Sequence, residues 1–331
     1  MYANRAQPSA TLQESVLMSM TEVHAVASLR LIVAVAKADD DLAPQERAQL
    51  EAALSTLPLG GLSVERLFAE AVDIDAQFRL LDTPQAKEHA WSAMYAMAWA
   101  DGDCVPLEQV VLDHAQHALG IEDTTVTGLH RLYNEARDTV LPSSIEPIAD
   151  PAKRAAEIAQ DTLKYAILSA ILGAFPVPGL AILTDLAVVG LQVKLVRDIG
   201  QYWGHKVDPS AAKSMLYGLG LGTGARMAVN NLAKLVPGWG SAVGATTSFA
   251  ATWALGKVAN EYFATGAKDD PSVLLSAFKS AEKEGKSQYE SHKGEIAAKQ
   301  QLQAERLQQL AEDTKSGRIS QQQYQHKVSE L

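Results

Sequence analysis

Apolar residues cluster at helical spacing in four short stretches of the N-terminal part: Leu29 to Ala36, Leu50 to Leu54, Trp91 to Ala98 and Val110 to Leu119. Further along, the polar residues thin out. Between Tyr165 and Val193 the only charged side chain is Asp185, and between Leu235 and Gly256 there is none. Each run has the length a helix needs to cross a bilayer, yet each is interrupted. Phe175-Pro176-Val177-Pro178-Gly179 divides the first, and Leu235-Val236-Pro237-Gly238-Trp239-Gly240 opens the second. Proline lacks the amide hydrogen that would continue a helix. The pattern therefore predicts helices over 164–175 and 179–197, and over 210–235 and 239–264, paired as two hydrophobic hairpins at Pro-Gly turns. Apolar helices this short serve as core or re-entrant segments more often than as spans. Residues 272–313 mix Ala, Gln, Glu, Lys and Leu and read as one long exposed helix. It is expected to stop at Gly317, with Ser320 capping a short final helix. Leu310, Ile319, Tyr324 and Leu331 then form an apolar face too small to fold alone, which needs docking or self-association.

The fold class expected is all-α: an acidic helical bundle with a duplicated helix–loop–helix, then the two hairpins, then a helical tail. The expected divisions are an N-terminal extension over 1–23, the bundle over 24–140, a Pro-rich linker over 141–151, the hairpins over 152–267 and the tail over 268–331. Two features of the hairpins call for a packing partner. Gly218, Gly220, Gly222 and Gly224 alternate. A glycine inside a helix costs about 1 kcal/mol against alanine, and close approach of a second helix, in lipid or in a dense bundle, is one compensation. Asp185 is a carboxylate in an apolar run, where it must be paired or functional; Lys194, Arg197 and Arg226 are the candidate partners.

Charge sharpens these divisions. Of a net −10, residues 1–151 carry −14, residues 152–267 carry +4, and the tail is neutral. The acidic balance argues against a nucleic-acid binder. An apolar fraction of 47% excludes wholesale disorder, and aromatics at 6% favour Ala-rich helices over sheets. The single cysteine, Cys104, excludes a disulfide framework and a cysteine-based zinc site. Residues 1–20 lack a basic stretch followed by an apolar run, so no secretory signal is expected. A cytoplasmic protein is.

The acidic part repeats itself. Ala36-Lys-Ala-Asp-Asp-Asp-Leu-Ala-Pro-Gln-Glu46 and Ala98-Trp-Ala-Asp-Gly-Asp-Cys-Val-Pro-Leu-Glu108 align at an offset of 62, and seven of fifteen positions coincide out to Leu50 and Leu112. Each copy lies between two apolar helical stretches. Two readings stand. Asp39, Asp41 and Glu46, and again Asp101, Asp103 and Glu108, offer hard carboxylate oxygens at short spacing, as calcium or magnesium requires. Alternatively they are helix-start chemistry. Pro44 and Pro106 suit the first helical position, Glu46 and Glu108 the third, and acidic residues favour the positive end of the helix dipole. Asp113, His114 and His117 have no nucleophile beside them and read as helix surface. There is no P-loop, and Gly220 to Gly224 follows no strand, so nucleotide chemistry is not expected.

The repeated A-D-x-D-x-x-P-x-E resembles the tellurite-resistance TerB-like family over about residues 24–140. The resemblance implies a helical domain with a duplicated acidic surface that holds metal ions, and Asp39, Asp41, Glu46, Asp101, Asp103 and Glu108 occupy the matching positions. The first copy departs from the family at Asp40, where glycine is usual; the second keeps Gly102. Pro176-x-Pro178-Gly179-Leu, Asp185, Gln192, Lys194, Gly204 and the later V-P-G-W-G-S and A-L-G-K-x-x-N-E-Y-F runs resemble the YcjF-like group of domain-of-unknown-function family 697, over about 153–266. That resemblance implies association with the bacterial inner membrane or with a GTPase, and no enzymatic activity. Residues 307–331 look like a short C-terminal oligomerisation motif.

The function expected is a non-enzymatic bacterial stress-response or envelope protein. Its acidic head would bind a divalent cation such as calcium. Its hairpins, in which Pro176, Pro178, Gly179, Asp185, Gly218, Gly222, Pro237 and Gly238 serve packing or membrane contact, would associate with the inner membrane, and its tail would form a homo-oligomer. The alternatives are an all-α adaptor for a GTPase or another stress-response protein, and a defence effector whose hairpins insert conditionally.

Overall fold

Local sequence punctuation fixes where the helices begin. In the computed structural model, which describes residues 21–38, 44–55, 62–99, 104–175, 181–221, 229, 240–267 and 270–331, thirteen helices and no strands occur among the described residues. Four of them open on an Asp or Thr cap followed by proline: Thr83-Pro84, Asp150-Pro151, Asp208-Pro209 and Asp270-Pro271. The cap oxygen accepts an orphan backbone N–H, and the proline occupies a position whose own N–H would have gone unpaired.

The head comprises α1 (Glu22–Ala36), α2 (Pro44–Leu54), α3 (Val64–Ala69), α4 (Ile74–Leu80), α5 (Pro84–Ala98), α6 (Pro106–Leu119) and α7 (Asp123–Asp138). Helices α1 and α5 each bury ten of their fifteen residues, with Leu29, Ile32, Trp91 and Met94 at the centre. The two expected helix–loop–helix units are α1 with α2 and α5 with α6.

Residues 139–150 are extended rather than helical, and they are a strap rather than a free linker. The Arg197 guanidinium donates to the Leu141 carbonyl (2.8 Å), the Ile145 N–H to Gln201 Oε1 (2.9 Å) and the Ile148 N–H to the Tyr202 carbonyl (3.1 Å).

The body is built from α8 (Pro151–Ala174), α9 (Ala181–Tyr202), α10 (Pro209–Gly218), α11 (Gly240–Ala264), α12 (Pro271–Lys315) and α13 (Gln321–Ser329). Helix α11 is the central element, packed by α8, α9 and α12. Small residues set that spacing. A Cβ at Gly173 would lie 2.5 Å from the Gly244 carbonyl oxygen, one at Gly256 would strike Thr162, and one at Gly285 would stand 2.8 Å from the Ala250 Cα. Where the obstacle is backbone, even a methyl group forces the helices apart.

Two expectations need correction. The helix predicted over 210–235 ends at Gly218. Gly220 at φ +76° turns the chain, with its N–H on the Tyr217 carbonyl and that of Leu221 on the Leu216 carbonyl. This is a glycine-terminated helix end. A Cβ at Gly218 would meet nothing within 4 Å among the described residues, and Gly222 and Gly224 lie outside them. The 45-residue α12 is not exposed all round; Phe278, Tyr289, Ile296, Leu307 and Ala311 bury one side of it in the body core.

The final turn follows the sequence reading. Gly317 adopts φ +76°, and Ser320 and Gln323 form a reciprocal cap. Helix α13 then docks on its own chain. Tyr324 and Val328 are fully buried, Gln325 lies against Gly190, and the Gln321 N–H donates to Glu135 Oε2 on α7 at 3.1 Å. The small apolar face is thus satisfied within the molecule. The tail also reaches the head through Lys315 and Glu88 at 3.7 Å.

Candidate functional site

The acidic repeats sit where two mutually packed helices end. Helix α1 closes at Ala36 and α5 at Ala98, and the acidic residues follow both directly in sequence. Helix C-termini carry partial negative charge and favour cations. Asp39, Asp41, Asp101 and Asp103 lie outside the described residues, as does the side chain of Glu46. Among the described residues no three His, Cys, Asp or Glu side chains form a group that could hold a metal.

Glu108 is described. Its Oε2 accepts the Val105 N–H at 3.0 Å at the start of α6, with Pro106 at the first helical position. The helix-start role read from the sequence is therefore present in the second copy.

An aromatic cluster forms at the C-terminal end of α5, and sequence reasoning missed it. Trp91, Tyr95 and Trp99 follow one another at helical spacing on α5. Tyr95 Oη is 2.6 Å from His130 Nδ1, and the Tyr133 hydroxyl donates to the Trp99 carbonyl at 3.0 Å. Burial first, and then Cys104, push the Tyr95 phenol above its usual range, so it stays protonated. Its only sequence signal is the i, i+4 spacing of Trp91, Tyr95 and Trp99; the partners on α7 are non-local.

Lys37, which follows α1, is committed elsewhere: its ammonium donates to the Phe68 carbonyl at 3.1 Å. The Asp113, His114 and His117 set is helix surface, as expected. His114 Nε2 lies 2.8 Å from Asp75 Oδ1, His117 Nδ1 2.7 Å from the Asp113 carbonyl, and all three side chains are exposed.

Residues 24–130 match the family of tellurite resistance protein TerB. The matched residues run from α1 into α7 and carry both acidic repeats. They stop short of the hairpin segment and the tail. No curated protein and no solved structure matches the chain.

In the body, Pro176, Pro178, Gly179, Gly222, Pro237 and Gly238 lie outside the described residues. Asp185 is buried on α9 beside Tyr324, whose phenol is raised above its usual range by burial and then by that carboxylate. Two of the partners expected for Asp185 are used elsewhere. The Lys194 ammonium donates to Asp198 Oδ2 at 2.7 Å, and Arg197 to the Leu141 and Val207 carbonyls. Arg226 lies outside the described residues.

The charge network that the body does contain centres on Asp198. Besides Lys194, this carboxylate accepts from the Tyr165 hydroxyl at 3.1 Å and from the Ser143 hydroxyl of the strap. Nearby, the Tyr202 hydroxyl donates to Asp161 Oδ2 at 2.9 Å. Burial holds the Asp161 carboxyl above the usual carboxylate range. No described helix is long and apolar enough to cross a membrane.

Proposed function

We propose that this chain is a non-enzymatic bacterial stress-resistance protein whose head takes up divalent cations through its two acidic repeats. The observation that carries the reading is the TerB match over residues 24–130, which contains both copies of the repeat. Ligation falls to Asp39, Asp41 and Glu46 in the first copy and to Asp101, Asp103 and Glu108 in the second. Hard carboxylate oxygens suit a cation such as calcium. The cation offsets part of the repulsion within a head of strong negative charge and stiffens the segments that join α1 to α2 and α5 to α6.

The body is read as a packed helical platform that couples the head to a protein partner, a GTPase or another stress-response component. The burial of the hairpin helices α8, α9 and α11 against one another and against α12 in one core supports this reading. A second reading, peripheral contact with anionic lipid at the inner membrane, is favoured by the +4 balance of residues 152–267. The proposal is tested in a strain lacking this chain. Wild-type protein is expected to restore growth under tellurite or divalent-metal challenge, and a variant with Asp39, Asp41, Asp101 and Asp103 changed to Asn is not. Equal rescue by both, at equal protein level, overturns the cation role.

A further inference from the structure

A second candidate site lies at the far end of the body, away from the acidic head. The α9–α10 connection, α10, the C-terminal end of α11 and the first turns of α12 enclose a cavity of about 590 Å³, within the range of small-molecule sites. Its walls are apolar: Val196, Val207, Met215, Leu219, Phe263 and Leu274 line it. Polar side chains line it from the α9–α10 connection and also from Ser214 on α10 and Tyr262 on α11. Lys206 brings an ammonium, and the His205 ring, 5.5 Å from that of Phe263, brings an imidazole. The one carboxylate in the lining, Asp208, is already engaged, since it caps α10 by accepting the Ser210 N–H at 2.7 Å.

The backbone is held in place around this space. Val207 packs against Gly200, where no side chain would fit. Ala267, on the cavity wall, is the one non-glycine residue with positive φ among those described, at +62°. Such a conformation persists only where the surroundings impose it, and it recurs at binding sites. Here the Ala267 N–H is tied to the Tyr262 carbonyl at 2.8 Å.

We propose that this cavity binds a single-chain amphipathic carboxylate, with the acyl chain along the apolar walls and the carboxylate at Lys206 and His205. An apolar interior with the Lys206 ammonium and the His205 imidazole in its lining is complementary to that class. The site is independent of the cation reading of the head.

The test is calorimetric titration of the full chain with sodium decanoate, with decanol as the uncharged comparator. Decanoate is expected to bind at least about tenfold more tightly than decanol, the worth of one charge-assisted contact. K206E is expected to lose that preference and to leave decanol binding unchanged. Ala211 is exposed on α10 and lines the cavity, so A211W fills the space from the surface. It is expected to abolish binding of both probes with the melting temperature unchanged. Absence of decanoate binding, equal binding of decanol, or full binding by A211W overturns the proposal. So does capture by phosphatidylglycerol vesicles without any decanoate binding, which would make the cavity a lipid-surface contact instead.

Discussion

Replacing Asp198 with alanine is expected to cost the fold about 3–5 kcal/mol, the penalty for removing one partner of a buried ion pair. The side chain is 1% exposed and gathers three donors: the Lys194 ammonium, the Tyr165 hydroxyl and the Ser143 hydroxyl. Alanine leaves the Lys194 ammonium largely buried without that acceptor, leaves the Tyr165 hydroxyl without its acceptor, and removes one of the strap's ties to α9, the Ser143 contact. The cost therefore comes from uncompensated polar groups rather than from the net worth of the pair. That distinction has its own consequence. Asp198→Leu with Lys194→Met removes both charges and is expected to recover a large part of the loss. Urea denaturation of the three proteins, followed by helical circular dichroism, checks this. A loss below about 1 kcal/mol for the single variant, the size expected of an exposed pair, contradicts it.

Acid is expected to weaken the head through His89. This side chain is buried on α5, its Nε2 has no hydrogen-bond partner, and Lys315 stands nearby. Burial, and then the Lys315 charge, depress its pKa from 6.5 to about 4. The depressed value means that the folded state resists a proton the unfolded state accepts. Stability on this account is complete above pH 6.5 and falls as the pH drops from 6.5 to about 4. A shift of that size amounts to about 3 kcal/mol. Titrating carboxylates act in the same range, so the comparison is made with H89L, which fills similar space without a titrating ring. Near pH 7 the two proteins should differ little; at pH 4 the leucine variant should be the more stable by about 3 kcal/mol. Denaturation curves that fall in parallel for both proteins contradict the assignment.

Much of this molecule is legible in its sequence where the physics is local. A capping residue before proline marks four helix starts, Gly317 and Ser320 mark the last turn, and the repeat at Asp39 and Asp101 marks the head. What escaped depends on distant contacts. The alternating glycines from Gly218 look like a packing stripe, but Gly220 serves as a turn. The glycines with tight neighbours, Gly173, Gly256 and Gly285, stand singly in the sequence, and their tightness comes from Gly244, Thr162 and Ala250 on other helices. The long tail helix looks exposed because its charges are mixed, while the residues that bury it recur too sparsely to form an evident stripe. Lys194 and Asp198 are spaced as an i, i+4 pair, a signal the sequence carries openly but that the apolar run around Asp185 overshadowed.

Calorimetric titration of the full chain with calcium chloride tests the central claim, cation binding by the acidic repeats, most directly. The informative variants change Asp39 and Asp41, or Asp101 and Asp103, to Asn, with Glu46 or Glu108 to Gln. Asn keeps the ability to cap a helix, and Gln keeps an acceptor for the Val105 N–H, so ligation is separated from helix-start chemistry. The account predicts two binding events per wild-type chain, one lost with each set and both lost with the two sets combined. Unchanged binding in the combined variant, or no binding of calcium, magnesium or manganese by a normally folded wild-type chain, contradicts it and leaves the carboxylates as helix caps.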